Sequence, residues 1–332
     1  MNTVTLVIDK SGTTIIRDGK SLVVKLPDGN SSRIPFSRIE SMVVYSKANV
    51  ETTVWGELAT RHIPCVILPS RGKGNECWVG PGLNVKMDVR ILQFRAYHSY
   101  TESLTAQKFI LGKKLDATLA LIDCLEYPAK IKGLSEDAAK ARQEIETATH
   151  KLINNEQKIS TMGIEGGADK SLYAFYVKLL PPKWGFHKRI RRPPTDPFNS
   201  LLSLCSTLVY SETLNQILLR GLDPCIGIIH ATRKNRYSLA LDIMEPLRPA
   251  ITMYAYMLLT EKFILRDFTI SSETCLLRKN ARSEFYFQWH AITQEWGKLP
   301  GCNPAKDISL KQCISEIIDD LIAFWEGGFE NE

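Results

Sequence analysis

One histidine and two acidic residues stand out because their sequence surroundings are apolar. His230 follows the run GLDPCIGII, and Asp242 and Glu245 lie within the later stretch SLALDIMEPLRP. A spacing of three residues places these two acids on one face of a helix. Acids beside an apolar core need a partner, which a divalent metal ion, the nearby Arg248 or a helix end could supply. Two interpretations therefore stay open, a metal site and a structural ion pair with a satisfied core histidine.

Glu165 is a third candidate ligand, and it lies in the segment GIEGGADK. The glycines that follow it carry no side chain, so another backbone or a ligand can approach closely. An acid at the start of a helix also interacts favourably with the helix dipole, and this alternative stays open. Glu165, His230 and Glu245 together would offer two carboxylates and one imidazole. That set suits Mn²⁺ or Mg²⁺, with positions left for water and phosphate oxygens.

The segment KWGFHKRIRRPPTDP interleaves positive charge with aromatic rings. Its basic residues are Lys183, Lys188, Arg189, Arg191 and Arg192, and its rings are Trp184 and Phe186. Such a loop suits phosphate backbones and unpaired bases, although a solvated surface loop is the alternative. A second basic loop follows His230 and contains Arg233, Lys234 and Arg236. We expect the basic residues of both loops to bind DNA.

The chain carries a modest and unevenly distributed excess of positive charge. Its 332 residues include 42 Lys and Arg against 36 Asp and Glu, a net charge of +6. Residues 303–332 have a net charge of −5, which leaves +11 on the rest. This distribution favours a polyanionic partner over a membrane. No stretch reaches the roughly 18 uncharged apolar residues of a spanning helix and no signal peptide is visible, so we expect a cytoplasmic protein.

The N-terminal and C-terminal parts of the sequence have different residue patterns. The segments TLVID, TTIIRDG, SLVVKLP and MVVYS are short, rich in Val, Ile and Thr, and separated by turn residues, which predicts strands. After about eighty residues, helical periodicity dominates. The expected helices span residues 87–124, 136–157 and 198–219, with a further helix that begins near Ile164 and ends at Pro181.

These elements predict an α+β protein with two domains. The first is a small β-rich, sandwich-like N-terminal domain over residues 1–85. The second is a larger, all-helical catalytic domain over residues 86–332. The boundary is expected near residues 82–87, where the composition changes. The acidic C-terminal segment, with Phe324, Trp325 and Phe329, has two interpretations, a protein contact and an amphipathic helix packed on its own domain.

Three motifs in a fixed order make the chain similar to a known family. They are RRPPTDPFN from Arg191, GLDPCIGIIH ending at His230, and SLALDIMEPLRP over residues 238–249. Each motif is a weak signal alone, but the ordered set is highly specific, and the similarity is close over residues 163–249. The chain resembles the CRISPR-associated integrases of spacer acquisition, the metal-dependent nucleases of the adaptation step.

The resemblance implies a β-rich N-terminal domain and a helical catalytic domain that holds one divalent metal, Mg²⁺ or Mn²⁺. The positions that match the family's metal ligands are Glu165, His230 and Glu245. The positions that match residues beside the metal are Asp242, Asn199 and Arg248, and we assign them a supporting role.

The resemblance also implies the reaction and the partners. Members of this family join a short DNA fragment to a CRISPR array by attack of each 3′-hydroxyl on a phosphodiester bond. The expected partners are double-stranded DNA (spacer fragments, leader and repeat), a second copy of the chain, and a small ferredoxin-like adaptation protein, with dimer and partner contacts in the N-terminal domain. Two alternatives stay open, a catalytically inactive DNA-binding scaffold of the adaptation complex and a repair nuclease for branched DNA.

Overall fold

The computed structural model of the chain describes residues 4–61, 63–68, 77–79, 87–155, 158–234, 236–302 and 308–328. The chain divides into two compact units, Met1–Val85 and Lys86–Glu332. The predicted boundary near residues 82–87 lies almost wholly outside the described residues, as does Phe329. No helix in the described ranges combines the length and the apolar character needed to cross a membrane.

Short segments rich in β-branched residues form the strands of the N-terminal unit, because such side chains pack well on a pleated, half-buried surface. The strands are Val4–Ile8 (β1), Thr13–Asp18 (β2), Ser21–Lys25 (β3), Ser31–Pro35 (β4), Ile39–Val44 (β5), Ala48–Val50 (β6), Cys65–Ile67 (β7) and Cys77–Val79 (β8). One helix, Thr52–Thr60 (α1), lies between β6 and β7. The turn between β2 and β3 uses Gly19 with a φ of 60°, a conformation that glycine adopts without a steric cost.

The eight strands form two sheets of four. One has the order β1-β5-β7-β8, and its first three strands run parallel; the other has the order β4-β3-β2-β6. Ile15 and Leu22 from the second sheet share one core with Met42 from the first and with Val54 from α1. The β-rich N-terminal region is confirmed.

Helices dominate the C-terminal unit. They are Met87–His98 (α2), Tyr100–Ile131 (α3), Ser135–Ile153 (α4), Lys158–Leu179 (α5), Pro197–Leu219 (α6), Ser238–Ile243 (α7), Arg248–Met257 (α8), Lys279–Gln294 (α9) and Leu310–Gly328 (α10). The expected helix over residues 87–124 is two helices, since Ser99 caps α3 by accepting a hydrogen bond from the Glu102 N–H. Helix α5 begins at Lys158, earlier than expected, and it buries Ala168, Leu172 and Phe175, which are spaced at three and four residues.

The expectation of an entirely helical C-terminal domain is wrong in one segment. Phe268–Ile270 (β9) and Cys275–Leu277 (β10) pair antiparallel as a two-stranded sheet. The chain reverses between them because the Ser271 N–H donates to the Thr274 carbonyl over 2.9 Å. The fold is therefore α+β, with a largely helical C-terminal unit.

The acidic segment forms α10, which packs on its own unit. Trp325 is 2% exposed, and the Phe324 ring stacks on Phe109 with 6.2 Å between the centroids. Two of its acids pair with basic residues elsewhere in the unit, Asp319 with Arg220 directly after α6 and Asp320 with Lys113 on α3. Of the two interpretations of this segment, the amphipathic helix packed on its own domain is the one that the described residues support.

Candidate active site

A buried lysine joins two of the predicted metal ligands. Lys114 lies on the α3 face that also carries Ile110 and Thr118, and only 2% of its side chain is exposed. Its Nζ contacts Glu165 Oε1 and lies 2.9 Å from Glu245 Oε2. It also lies 2.9 Å from Oδ1 of Asp169. Three carboxylates therefore surround one ammonium group.

Glu165 and Asp169 both face Lys114 because residues four apart lie on the same side of a helix. Glu165 lies seven residues after Lys158, in the interior of α5, so the alternative of an acid at the helix N-terminus is wrong. Burial raises the pKa of Glu165; Lys114 opposes this rise, while Asp169 and Glu245 add to it. The cluster therefore holds more negative charge than Lys114 neutralises.

The two glycines that follow Glu165 leave open space beside it. Apart from the neighbouring backbone of α5 itself, a methyl group added at Gly166 or Gly167 would meet nothing within 4 Å. The sequence allowed two roles for these glycines, close approach of another backbone or of a ligand. In the described residues no other backbone packs against them. The other use, access for a ligand, fits this open surface.

Glu245 is held by two cations. It opens a short 3₁₀ turn, Glu245–Leu247, between α7 and α8, and its side chain is 4% exposed. Its Oε2 faces Lys114, and its Oε1 accepts a 2.7 Å hydrogen bond from Arg248 Nε. Burial alone would raise the pKa of Glu245, but Arg248 and Lys114 outweigh burial and lower the pKa to about 2. Glu245 is therefore an ionised carboxylate at neutral pH.

Asp242 organises the segment that carries His230. Its carboxylate is fully buried, and Oδ2 accepts hydrogen bonds from the backbone N–H groups of Ile228 and Ile229 over 2.5 and 3.1 Å. Its Oδ1 accepts from the His230 N–H over 3.0 Å and lies 2.6 Å from His230 Nδ1. Burial raises the pKa of Asp242, although His230 and the backbone donors oppose the rise.

Gly227 precedes this segment at a position where no side chain fits. A methyl group there would lie 2.4 Å from the His230 carbonyl oxygen and 2.6 Å from Ser238 Cβ. It would also lie 3.0 Å from Asp242 Oδ2. The sequence GLDPCIGIIH thus places glycine where the backbone folds tightly around the Asp242 carboxylate.

The hydrogen bonds divide the predicted ligands into two groups, one around Lys114 and one around Asp242. In the part of the chain that the structure describes, no three His, Cys, Asp or Glu side chains already form a cage for a metal ion. The donor chemistry nevertheless fits a divalent cation. Two carboxylates already share one cationic centre, and no described residue bonds Nε2 of His230, the ring nitrogen opposite Asp242.

Asn199 holds the first basic loop against the start of α6. Its Oδ1 accepts from Arg189 Nη1 and from the Ile190 N–H, each over 2.9 Å. Its Nδ2 donates to the Lys188 carbonyl over 2.8 Å and to Asp196 Oδ2 over 2.5 Å. These four bonds use the hydrogen-bonding capacity of the amide. Asn199 therefore positions the loop, and in this arrangement it offers no free group to a metal ion.

The basic loops expose most of their charges but not their aromatic rings. The exposed residues are Lys183, Lys188, Arg191, Arg192, Arg233 and Lys234, whereas Arg189 and Arg236 are half-buried. Trp184 and Phe186 are 3% and 5% exposed. The expectation that these rings meet unpaired bases is wrong, because Trp184 packs on Phe268 and Phe186 on Phe198 inside the unit.

Comparison with known proteins identifies the family. The family of the CRISPR-associated protein Cas1 matches residues 6–291, most of the chain. The chain belongs to the Cas1 family. It is accordingly a Cas1 endonuclease and integrase of CRISPR spacer acquisition, which confirms the activity that the three motifs predict.

Individual Cas1 proteins resemble the chain over most of its length. A CRISPR-associated endonuclease Cas1 of Thermodesulfovibrio yellowstonii is 29% identical over 290 residues, which cover 85% of this chain and 89% of the relative. The solved structure of a Cas1 protein from Thermotoga maritima has a TM-score of 0.80 at 21% identity, covering 98% and 97% of the two chains. This likeness confirms the α+β fold.

Cas1 complexes are among the similar solved structures. One is a Cas6-RT-Cas1–Cas2 complex, with a TM-score of 0.77 and 23% identity over 98% of this chain and 35% of that one. Another is a Cas1–DNA complex, with a TM-score of 0.59 and 14% identity over 96% and 91%.

The sequence analysis did not identify Lys114 and Asp169, which the structure places in contact with each other beside Glu165 and Glu245. A signal for Lys114 was present, because it falls on the helical face of Ile110, Leu121 and Leu125, where an unpaired lysine is costly. A signal for Asp169 was its spacing of four from Glu165. Neither signal identifies the residues that pair with Lys114. Its partner Glu245 is 131 residues away in the sequence, so only the folded structure shows the contact.

Proposed function

We propose that Glu165, His230 and Glu245 bind one divalent metal ion, Mn²⁺ or Mg²⁺, and that the chain cuts and joins double-stranded DNA at this site. The observation that carries the proposal is the convergence of the Glu165 and Glu245 carboxylates on one cationic centre, the Lys114 ammonium. Carboxylate oxygens grouped in this way are the donors that Mg²⁺ and Mn²⁺ prefer.

The local charge balance supports a divalent cation. The three carboxylates around Lys114 exceed the combined charge of Lys114 and Arg248 by one when all are ionised. The buried carboxylate of Asp242 adds one more negative charge. A divalent ion would offset negative charge that these groups leave uncompensated, and uncompensated buried charge is unfavourable.

The hydrogen bond to Asp242 assigns a role to each nitrogen of His230. In the tautomer whose Nδ1–H donates to Asp242 Oδ1, Nε2 carries the lone pair that a metal ligand needs. A carboxylate behind a ligating histidine fixes both its tautomer and its orientation. Arg248 acts in the same way on Glu245, because its hydrogen bond to Oε1 fixes the rotation of that carboxylate. These contacts support the role that the resemblance implies for Asp242 and Arg248, that of residues which position the ligands.

A bound divalent ion would lower the pKa of an attacking hydroxyl and neutralise charge that develops on the phosphate oxygens. The chain supplies the geometry around that event. On α5, the exposed Gly166 and Gly167 that follow Glu165 leave open surface for DNA to approach.

The exposed basic residues hold the DNA backbone near the site. Lys188, Arg191 and Arg192 lie on a loop that Asn199 ties to α6, and Arg233 and Lys234 follow His230 directly. Charges of this kind contact phosphates and set register rather than read bases. Arg189 supports the loop, since it donates to Asn199 and Ser203.

The proposed assembly contains two copies of the chain and a small ferredoxin-like partner, the Cas2 component. Its DNA substrates are spacer fragments and the leader and repeat of the CRISPR array. The N-terminal unit, residues 1–85, is proposed to make the dimer and partner contacts, and the unit over residues 86–332 to carry catalysis. The Cas1–Cas2 and Cas1–DNA complexes among the similar structures support this proposal.

The test combines strand transfer with metal binding. The variants Glu165→Gln and Glu245→Gln keep side-chain size, His230→Asn puts a smaller polar side chain in place of the imidazole, and each variant removes one ligand. We expect strand transfer into a leader–repeat duplex to fall at least about 100-fold, with Mn²⁺ binding by calorimetry weakened in parallel. Duplexes without a leader and branched duplexes in the same assay distinguish integration from repair.

Matched controls are Glu146→Gln on α4 and His290→Asn on α9, both exposed and outside the site. They should keep full activity and unchanged Mn²⁺ binding. Near-normal strand transfer in any of the three ligand variants would remove that residue from the ligand set.

A further inference from the structure

Lys114 occupies the position of a shared cation in the carboxylate cluster. Its Nζ takes one oxygen from Glu165 and one from Glu245, the two carboxylates of the proposed metal site. The lysine is buried in the same α3 face as apolar residues, so it does not reach this position as a chance surface contact. A metal ion that uses these two carboxylates must compete with the ammonium or share them with it.

Asp169 is the third partner of Lys114, and it is not among the proposed metal ligands. Its Oδ1 lies 2.9 Å from Nζ, and 21% of its side chain is exposed, against 4% for Glu245. Asp169 projects from α5 one turn after Glu165. It therefore offers Lys114 a carboxylate that the metal does not need.

We propose that Lys114 is the internal counter-ion of the metal-free protein: its ammonium group holds Glu165 and Glu245 together until a divalent cation displaces it, and Asp169 then retains it. This inference rests on the metal site proposed above. It adds one step to metal binding: the metal ion takes the place of the Lys114 ammonium between Glu165 and Glu245.

Displacement follows from charge and from the lysine side chain. An ammonium and a divalent ion that share two carboxylates repel each other, and the partial burial of the site strengthens this repulsion relative to water. The ammonium is a compact charge on a flexible four-carbon chain, so it can leave two carboxylates while it keeps the third. In the metal-free state the same charge prevents Glu165 and Glu245 from repelling each other.

The first test replaces Lys114 by methionine, which keeps a long apolar stem and removes the charge. We expect the variant to bind Mn²⁺ about tenfold more tightly or better in calorimetry, because no internal cation competes. We also expect a lower melting temperature in EDTA and a larger rise in melting temperature on adding Mn²⁺, since Mn²⁺ then compensates the carboxylates. Neither readout requires activity.

The control is Lys113→Met, one residue away on α3. Lys113 is 37% exposed and pairs with Asp320 on α10 rather than with the carboxylate cluster. Its Mn²⁺ affinity and its response to EDTA should match the unmodified chain. Weaker Mn²⁺ binding by Lys114→Met would overturn the proposal, because the ammonium would then orient the ligands rather than compete for them.

A second variant, Asp169→Asn, keeps the proposal testable should Lys114→Met fail to fold without metal. Removing the carboxylate that retains Lys114 should weaken Mn²⁺ binding about fivefold or more, because displacement then leaves the ammonium unpaired. An unchanged Mn²⁺ affinity would contradict the retaining role of Asp169.

The double variant Lys114→Met/Asp169→Asn separates this role from direct metal ligation. If Asp169 acts through Lys114, the Asp169→Asn change has no effect on Mn²⁺ binding once Lys114 is absent. If the loss persists there, Asp169 binds the metal itself and the proposal is wrong. Failure of the unmodified chain to bind Mn²⁺ would instead remove the metal site on which the proposal rests.

Discussion

The two halves of the candidate active site are held together by different forces. Around Lys114, carboxylates from α5 and from the turn before α8 are gathered by side-chain charge. Around Asp242, one carboxylate gathers three backbone N–H groups and the His230 ring. The first half depends on charge balance, and the second half on steric fit and hydrogen bonds.

Because of this difference, we expect the two halves to respond differently to substitutions, pH and metal. The Asp242 half spans only 12 residues between His230 and Asp242, so its geometry is built into one loop and one short helix. The Lys114 half joins residues 51 and 131 apart, so it forms only when the helices pack. We expect substitutions in the Asp242 half to cost folding stability. Changes of pH or metal should act mainly on the Lys114 half.

The largest effect is expected for Asp242→Asn. An asparagine amide group would turn its NH₂ toward backbone N–H groups that need an acceptor, and the fully buried site leaves no water to compensate. We expect the free energy of unfolding to fall by about 3 kcal/mol, measured by urea denaturation. The control Asp320→Asn on the exposed face of α10 should change it by less than about 0.5 kcal/mol. A small effect at Asp242 would mean that the loop does not depend on this carboxylate.

Gly227→Ala tests the steric side of the same half. The added methyl group would lie 2.4 Å from the His230 carbonyl oxygen, so the loop must move. We expect a loss of about 2 kcal/mol in the free energy of unfolding. Gly112→Ala in α3 is the matched control, because a methyl group there meets nothing within 4 Å and alanine favours a helix. It should stabilise the protein, and equal effects of the two changes would contradict the tight fit around Gly227.

Local sequence predicts the Asp242 half far better than the Lys114 half. The motifs GLDPCIGIIH and SLALDIMEPLRP already contain the histidine, its carboxylate and the glycine that the fold requires. They belong to the region that carries the resemblance to the family, and residue patterns also predict most of the strands and helices, though not β9 and β10. Lys114 lies outside these motifs, in the long helix α3. Its spacing from the apolar residues of α3 shows that it lies on the buried face, but it does not show which acid it pairs with. Pairing it with Glu245 needs the tertiary packing of α3 against the turn before α8.

The sequence pattern of the first basic loop also led to a wrong prediction, because tertiary packing buries its aromatic rings. Trp184 and Phe186 alternate with basic residues, a pattern that indicates nucleic-acid binding. In the folded unit both rings are buried against phenylalanines that lie elsewhere in the sequence. The alternation therefore separates charges that face solvent from rings that face the core.

Acid should affect the Lys114 half through Glu245. The folded protein holds the pKa of Glu245 at about 2, below its ordinary value of 4.5. The stability that this provides is present above pH 4.5 and is lost as the pH falls toward 2. In EDTA, the unmodified chain should therefore lose about 1 kcal/mol more than Glu245→Gln between pH 5 and 3.5, measured by urea denaturation. Parallel pH profiles of the two proteins would show that Glu245 is not held by Arg248 and Lys114.

The smallest effect on folding is expected in the exposed basic loop, outside both halves of the site. Arg191 and Arg192 are exposed, so replacing both by glutamine should leave the melting temperature unchanged. Their effect should be on DNA: the slope of log affinity against log salt should shrink by about 2, because each phosphate contact contributes about 0.9. The loss should be similar for unrelated duplexes, since phosphate contacts carry no base information.

The control for this prediction is the pair Lys130→Gln and Lys140→Gln, two exposed charges on α3 and α4 that remove the same net charge. If DNA binding depends on overall charge alone, the two double variants will lower the salt slope equally. If it depends on the loop that Asn199 ties to α6, only the arginine pair will lower the slope. Arg189→Gln sharpens the distinction, because Arg189 is half-buried and bonded to Asn199, so its loss should lower the melting temperature as well as DNA affinity. A shift in DNA affinity without a shift in melting temperature would instead assign Arg189 to the DNA-binding surface.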